Sequence, residues 1–331
     1  MENPSINAAP ERVAKRQASV ALEALNKLSP VIPLLVLIVY LAFASREFFT
    51  VDNFLNIAKQ SSVMGILAVG QTMVIIAAGI DLSVGSVMAL TGCITAVSIV
   101  QSGVHPAVAV LLGMACGIGI GALIGFIITK IKVQDFIATL GALTAVQGVA
   151  LLTSGGLPIS GLPEALLWFG NGSAFGVPVA FLVFLLVAAI GWVILRHTTF
   201  GRDVYALGGN QEAAWVSGIR VDRTKMLVYA FSGFCASVAA VVLLGRLNSA
   251  NALMGGGMEL LSISAVVLGG TSLFGGAGSI PGTIIGVITM GVLDNGLDFL
   301  DISAFWQQVI LGLVIIGVVA LDTFRRAKMN K

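Results

Sequence analysis

The feature that most constrains this chain is a series of continuous apolar stretches, most of them long enough to cross a lipid bilayer. A membrane-spanning helix needs about 20 mostly apolar residues, and only 10% of the 331 residues are charged, against about a quarter in soluble domains. The strands of a membrane β-barrel would alternate in polarity. We therefore predict an all-α polytopic membrane protein. Its ten candidate spans are residues 30–45, 55–78, 83–101, 105–128, 135–153, 177–195, 226–244, 259–271, 281–297 and 304–321.

Lysine and arginine predict the orientation of these spans, because loops rich in them face the cytoplasm. With the N-terminus inside, 15 of the 18 basic residues lie on the cytoplasmic side, and only Arg46, Lys59 and Arg246 lie outside. Both termini are therefore expected in the cytoplasm. The predicted parts are a cytoplasmic tail over 1–28, one transmembrane domain over 29–321 with a cytoplasmic loop over 196–225, and a basic cytoplasmic tail over 322–331.

Residues 31–44 allow a second interpretation, as the apolar core of a signal peptide, since A-F-A before Ser45 resembles a cleavage site. Against it, nearly thirty residues would precede that core, and its removal would spoil the charge distribution. The net charge of +2 does not indicate nucleic acid as a partner. The cysteines stand singly in apolar runs without a C-x-x-C spacing, so neither a disulfide framework nor a metal site is predicted.

Glycines mark two patterns in the apolar segments. The first is a stripe at every fourth position, Gly113, Gly117, Gly121 and Gly125, which predicts close helix packing in the membrane. The second is an echo: G-x-x-L-x-x-G occurs at residues 79–85 and again at 270–276, each time after an apolar run. Transporters are often built from repeats with broken helices, although with 40 glycines in the chain coincidence explains the echo equally well.

The loop over residues 196–225 predicts a short helix at about 211–217. Asn210 is suited to cap it, Glu212 falls in its first turn, and Gly218 is suited to end it. A helix this short needs a partner or a surface to hold it. Ala213 and Ala214 offer a small face for docking and Trp215 an apolar anchor, but a helix lying on the bilayer fits the residues equally well.

The stretch G-I-D-L-S-V-G-S at residues 79–86 places a carboxylate, Asp81, between two apolar runs. Asp81 or Ser83 can cap the next helix, with Gly79 and Gly85 permitting a turn and close packing. A lining role in a transport path and an ion-coupling role remain as alternatives. In the last case the chain would be a self-contained proton- or sodium-coupled secondary transporter that uses Asp81 and Asp294.

Motifs for catalysis are missing from the sequence. No lysine is followed by Ser or Thr, so the chain has no P-loop for ATP. H-E-x-x-H and G-x-S-x-G are absent as well. The residues therefore favour a transport subunit over an enzyme, and from them alone an importer subunit and a secondary transporter are equally plausible.

Five motifs follow one another in a fixed order along the chain: F-F-T-V-D-N-F-L-N-I, G-I-D-L-S-V-G-S, D-F-I-A-T-L-G, F-G-R-D-V-Y-A-L-G-G-N-Q-E-A-A-W-V-S-G-I and A-V-V-L-G-G-T-S-L-F-G-G-A-G-S-I-P-G-T. Together they resemble the ribose-type monosaccharide permeases of bacterial ABC importers, from about residue 30 to the C-terminus. The resemblance implies a type II ABC importer-like permease of the inner membrane, a homodimer with a monosaccharide path along its axis. The implied partners are a cytoplasmic ATPase, which uses ATP and Mg, and a periplasmic sugar-binding protein, while the chain itself needs no cofactor.

In such importers a cytoplasmic coupling helix inserts into the ATPase, and the predicted helix at 211–217 matches that role. The expected path for the sugar is mostly apolar, with a few polar groups. In the eighth span Leu261 stands where many relatives carry an aspartate, so no polar role is transferred there. The implied coupling residues are Gly201, Arg202, Tyr205, Gly208, Asn210, Glu212, Ala213, Ala214, Gly218 and Ile219, and the expected path residues are Gln71, Asp81, Ser83 and Asn295.

Overall fold

The computed structural model describes residues 31–44 and 46–329. The predicted tail over 1–28 lies outside the described residues, as do the last two residues of the predicted C-terminal tail. The helices are α1 (Val31–Ala44), α2 (Val51–Ile76), α3 (Val84–Val100), α4 (Pro106–Phe126), α5 (Asp135–Ser154), α6 (Glu164–Asn171), α7 (Val179–His197), α8 (Thr199–Gly209), α9 (Gln211–Val216), α10 (Val221–Leu247), α11 (Met258–Leu268), α12 (Ile280–Phe299) and α13 (Ala304–Met329).

Each of the ten predicted spans overlaps one of these helices. Five are long and apolar enough to cross a membrane: α5, α7, α10, α12, and α4 with the π-helical turn that extends it to Ile131. Shorter apolar helices lie at Val31–Phe43, Val84–Val100, Met258–Leu268 and Ala304–Gly317. The described part of the chain is therefore a helical, multi-spanning membrane protein.

The loop between α5 and α7 contains structure that the sequence patterns did not predict. Its strand β1 (Ile159–Ser160) pairs antiparallel with β4 (Ser249–Ala250), which follows α10. Helix α6 and a small hairpin of β2 (Ser173–Ala174) with β3 (Val177–Pro178) complete it. These pieces are too short for a periodicity to reveal, and tertiary contacts hold them in place.

Contacts between loops show which helix ends lie together. At one end, Lys59 donates a 2.8 Å hydrogen bond to Asn171, whose amide donates to the Gly245 carbonyl near the end of α10 at 2.7 Å. At the other end, Lys130 forms a 2.6 Å salt bridge with Asp222, joining the end of α4 to the start of α10. The charge distribution predicted that loops 130–134 and 196–225 share a side, and the fold brings them to the same end.

Helix α11 is a half-length helix inside the bundle, and the predicted eighth span over 259–271 extends three residues beyond its end at Leu268. Its 11 residues extend ~16 Å, about half of a 30 Å hydrocarbon core. Before it, the chain runs into the bundle without helical structure, and a Cβ at Gly255 would meet the carbonyl oxygen of Gly85, at the start of α3. Glycine at both positions allows this approach of two backbones.

The core of the fold forms around α2, from residue 61 onward, and α10. The four stripe glycines of α4 are buried and face α3 or α10: a Cβ at Gly125 would lie 2.6 Å from the Cα of Met226, and one at Gly121 would meet the Tyr229 carbonyl. In lipid, such close packing supplies the van der Waals contact that holds helices together.

Candidate functional site

The cytoplasmic loop of the prediction folds into two consecutive helices, α8 and α9. Thr198 caps α8 by accepting a 3.1 Å hydrogen bond from the Gly201 amide. Asn210 caps α9 in the same way, accepting from the Ala213 amide at 2.9 Å, and Gly218 follows with a φ of 86°. The predicted helix at 211–217 is confirmed and ends one residue earlier than expected. Helix α8 was not predicted, because three glycines in eleven residues hide its helical pattern.

The two alanines of α9 do not share a docking face, so that expectation is wrong. Ala214 is 4% exposed and packs inside the protein, whereas Ala213 is exposed. Trp215 and Val216 are 72% and 78% exposed, and they provide the apolar surface of the helix. Of the implied coupling residues, Arg202, Asn210, Glu212, Ala213 and Gly218 are exposed, Tyr205 and Ile219 are half-buried, and Gly201, Gly208 and Ala214 are buried.

The buried Gly208 on α8 lies at the junction of two helix breaks. A Cβ there would meet the carbonyl of Ile76, the last residue of α2, and the amide of Gly276, in the break after α11. These two groups also bond to each other, with the Gly276 amide donating to the Ile76 carbonyl at 2.9 Å. The two breaks that carry the repeated glycine motif are therefore in contact, and α8 packs on both.

Tyr205 adds a directed bond to this junction. Its hydroxyl donates to the Gly278 carbonyl at 2.8 Å. Burial raises the pKa of the Tyr205 phenol, while the nearby Arg196 acts in the opposite direction. The phenol therefore keeps its proton at neutral pH and remains a donor. Helix α8 is thus fixed both by shape, at Gly208, and by a hydrogen bond.

Asp81 lies in the break between α2 and α3 and is 2% exposed. One carboxylate oxygen accepts from the amide and the hydroxyl of Ser83, at 2.9 and 2.6 Å, and the other accepts from the Ser232 hydroxyl at 2.8 Å. Because the Ser83 hydroxyl donates to Asp81, it does not cap α3 itself. The carboxylate holds the start of α3 against α10.

Gln71, Asp81 and Ser83 form one buried cluster, whereas Asn295 lies elsewhere. Gln71 donates to the Asp81 carbonyl, and its side-chain oxygen has no partner among the described residues. Asn295 instead exchanges hydrogen bonds of 2.9 and 3.0 Å with Asn53. The turn of the break is made by Ala78, with a φ of 57°, while Gly79 gives room for the Tyr229 hydroxyl.

A polar network that the sequence patterns missed surrounds the same break. Lys225 binds both oxygens of Asp135 at 3.0 and 2.9 Å, and the Tyr229 hydroxyl donates to Asp135 at 3.0 Å. Thr139 donates to the Ile80 carbonyl at 3.1 Å. The signal available in the sequence was the motif D-F-I-A-T-L-G, which begins at Asp135 and contains Thr139.

Comparison with known proteins decides the family of the chain. Residues 53–319 match the profile of a permease family described as the permease component of a branched-chain amino acid transport system. The chain belongs to this permease family. Its match covers both helix breaks, α8 and α9. No solved structure matches the chain.

Similar members of the permease family include two ribose import permease proteins. The one of Escherichia coli (strain K12) is 45% identical over 88% of this chain and 92% of its own length, and that of Bacillus subtilis (strain 168) is 43% identical over 92% and 94%. The D-allose transport system permease protein of Escherichia coli (strain K12) is 36% identical over 87% and 88%.

Proposed function

We propose that this permease carries a monosaccharide, ribose or a similar sugar, across the bacterial inner membrane as the membrane subunit of an ATP-driven ABC importer. The observation that carries the proposal is the 45% identity to a ribose import permease over 88% of the chain. The allose permease, and a xylose transport system permease that is 33% identical, belong to the same substrate class. The chain acts as a transport subunit and not as an enzyme.

The energy comes from a separate ATPase that hydrolyses Mg·ATP, because this chain has no P-loop. The ATPase docks on α9, where the exposed Trp215 and Val216 form an apolar surface. Open clefts of about 580 and 620 Å³ flank that helix. The capped helix is short, so a partner that encloses it also stabilises it.

The remaining assembly follows from the same proposal. Two copies form a homodimer, a periplasmic binding protein delivers the sugar, and ten segments cross the bilayer with both termini in the cytoplasm. Gln71, Asp81 and Ser83 hold the inner end of the path, and Asn295 lies nearer its outer end. The hydrogen bonds that fill both oxygens of Asp81 support a holding role over ion coupling.

A branched-chain amino acid is the second candidate substrate, because the description of the family profile names that class. A direct uptake assay distinguishes the two substrate classes. The permease is reconstituted with its ATPase and binding protein, and uptake of radiolabelled D-ribose, D-allose, D-xylose and L-leucine is compared. Accumulation of at least one sugar with no uptake of leucine is expected. Accumulation of leucine with no uptake of the sugars would overturn the proposal.

A further inference from the structure

A small cleft opens between α2, α11, α12 and α13, away from the junction of the helix breaks. Its volume is about 80 Å³. Its walls combine apolar side chains with three polar ones. Gln60, Ser61 and Met64 line it from α2, Met258 and Leu261 from α11, Met290, Gly291 and Asp294 from α12, and Leu311 from α13.

Ser61 is the unusual residue of this cleft. It is 3% exposed, and its hydroxyl has no hydrogen-bond partner among the described residues. Other buried hydroxyls of these helices donate to a carbonyl in the preceding turn, as Ser62 does to Ala58 at 2.6 Å and Thr289 to Ile285 at 2.7 Å. The Ser61 oxygen packs against Gly291, which also lines the cleft, and it keeps its hydrogen-bonding capacity for a ligand that reaches this wall.

Two further polar groups line the same cleft. Asp294 is half-buried, and the two salt bridges among the described residues do not involve it. Gln60 comes directly before Ser61 on α2 and lines the same cleft as Asp294. A carboxylate, an amide and a hydroxyl supply acceptors and donors for vicinal hydroxyl groups, and the methionine and leucine side chains suit the C–H face of a sugar.

The position of the cleft across the membrane suits a transport path. Ser61 lies ~22 Å along α2 from Ile76, and Asp294 lies ~21 Å along α12 from Ile280. Both helix ends belong to the junction side of the protein, so the cleft lies in the opposite half of a 30 Å bilayer core. The half-helix α11 begins beside it, and discontinuous helices of transporters border substrate sites near the midplane.

We propose that this cleft, which we name the Ser61 cleft, is a subsite of the translocation path that binds the hydroxyl groups of the sugar. The inference rests on the proposed function. A volume of about 80 Å³ has room for about three water molecules. The cleft therefore takes one hydroxyl-bearing edge of the ring, through the Ser61 hydroxyl and the Asp294 carboxylate.

The first test measures access with a cysteine probe. Ser61→Cys is reconstituted with the ATPase and binding protein, and a small water-soluble methanethiosulfonate reagent is added with and without D-ribose. Labelling above that of the unmodified chain is expected, slowed at least two-fold by ribose and not by L-leucine. The control is Ser62→Cys, at a neighbouring buried hydroxyl that does not line the cleft, and no labelling is expected there.

The second test measures transport by Ser61→Ala and its control Ser62→Ala. Loss of one hydrogen bond to the sugar predicts a KM for ribose uptake raised about five-fold in Ser61→Ala. Ser62→Ala removes only a bond to its own helix and keeps the KM of the unmodified chain.

The outcomes distinguish a failure of the proposed subsite from a failure of the proposed function. Normal ribose uptake by the unmodified complex, together with an unchanged KM in Ser61→Ala or no ribose-sensitive labelling of Ser61→Cys, would overturn the subsite alone. A complex of unmodified chains that imports none of the sugars would overturn the proposed function and the subsite with it.

Discussion

At the scale of single residues, the salt bridge between Lys225 and Asp135 differs from the one between Lys130 and Asp222 by its burial. The first pair is 12% and 18% exposed, and the second is 53% and 48% exposed. Water screens the exposed pair, which leaves it worth ~0–1 kcal/mol. In the more buried pair, Lys225 binds the carboxylate of Asp135, which the Tyr229 hydroxyl also contacts.

We therefore expect Lys225→Met to destabilise the protein by about 2 kcal/mol, because it leaves Asp135 largely buried without its cation. Lys130→Met is the matched control and should change little. Thermal unfolding in detergent measures both, and the double variant Lys225→Met with Asp135→Asn should regain part of the loss. Equal stability of the two single variants would contradict this account of the network.

Asn210 gives a second prediction at this scale. Asn210→Ala removes the cap of α9 and costs about 1 kcal/mol of helix stability, while Asn210→Ser keeps an oxygen that can accept from the same amide. Binding of the ATPase, measured by co-purification, should weaken in the alanine variant and persist in the serine variant. Full binding of the ATPase by Asn210→Ala would argue against docking on a preformed helix.

The sequence predicted the residues that act locally better than those that act through contacts. The cap at Asn210 and the turn at Gly218 depend on neighbours within a few positions, so the sequence pattern sufficed. The burial of Ala214 and the pairing of Asn295 with Asn53 depend on helices distant in the sequence, which no local pattern encodes.

At the scale of elements, the position of α8 depends on a glycine with no room for a side chain. Gly208→Ala would push a methyl group into the Ile76 carbonyl and the Gly276 amide, whereas Gly209 has no atom within 4 Å of a new Cβ. Overpacking costs ~1–3 kcal/mol and displaces the helix. We expect Gly208→Ala to lower both sugar uptake and the unfolding temperature, and Gly209→Ala to change neither. Unchanged uptake by Gly208→Ala would show that transport does not depend on this junction.

The glycine stripe of α4 offers a similar pair of matched variants. Gly121→Ala places a methyl group against the Tyr229 backbone, while Gly119 faces open space. We expect Gly121→Ala to destabilise by about 1–3 kcal/mol and Gly119→Ala to be neutral or slightly stabilising, since alanine favours helices more than glycine. Unfolding midpoints in detergent measure the difference, and equal midpoints would contradict the packing role of the stripe.

Helix limits were predicted where hydrophobicity alone fixes them, as in α5 and α7. They were not predicted where glycines and neighbouring helices set the structure. Helix α11 ends at Leu268. The non-helical chain before it enters the bundle, because Gly255 and Gly85 let two backbones touch. A hydropathy pattern reports apolar length but does not distinguish a half-helix from a full span.

At the scale of the whole molecule, the two helix breaks meet at the side where α8 and α9 lie. The connection runs from the exposed Trp215 on α9, through Gly208 on α8, to the break that holds Asp81. An ATPase that moves α9 would therefore act on both breaks at once. This gives a physical route from ATP hydrolysis to the start of α3 and the end of α11, and it supports the importer over a self-contained transporter.

The most direct test of that claim is the energy source of uptake in proteoliposomes. Radiolabelled D-ribose, D-allose and D-xylose are offered in turn to vesicles that contain this permease alone or together with its ATPase and binding protein, with and without Mg·ATP and a protonophore. We expect uptake of at least one of these sugars only in the complete complex, dependent on ATP and unaffected by the protonophore. Uptake by the permease alone, abolished by the protonophore and indifferent to ATP, would contradict this expectation.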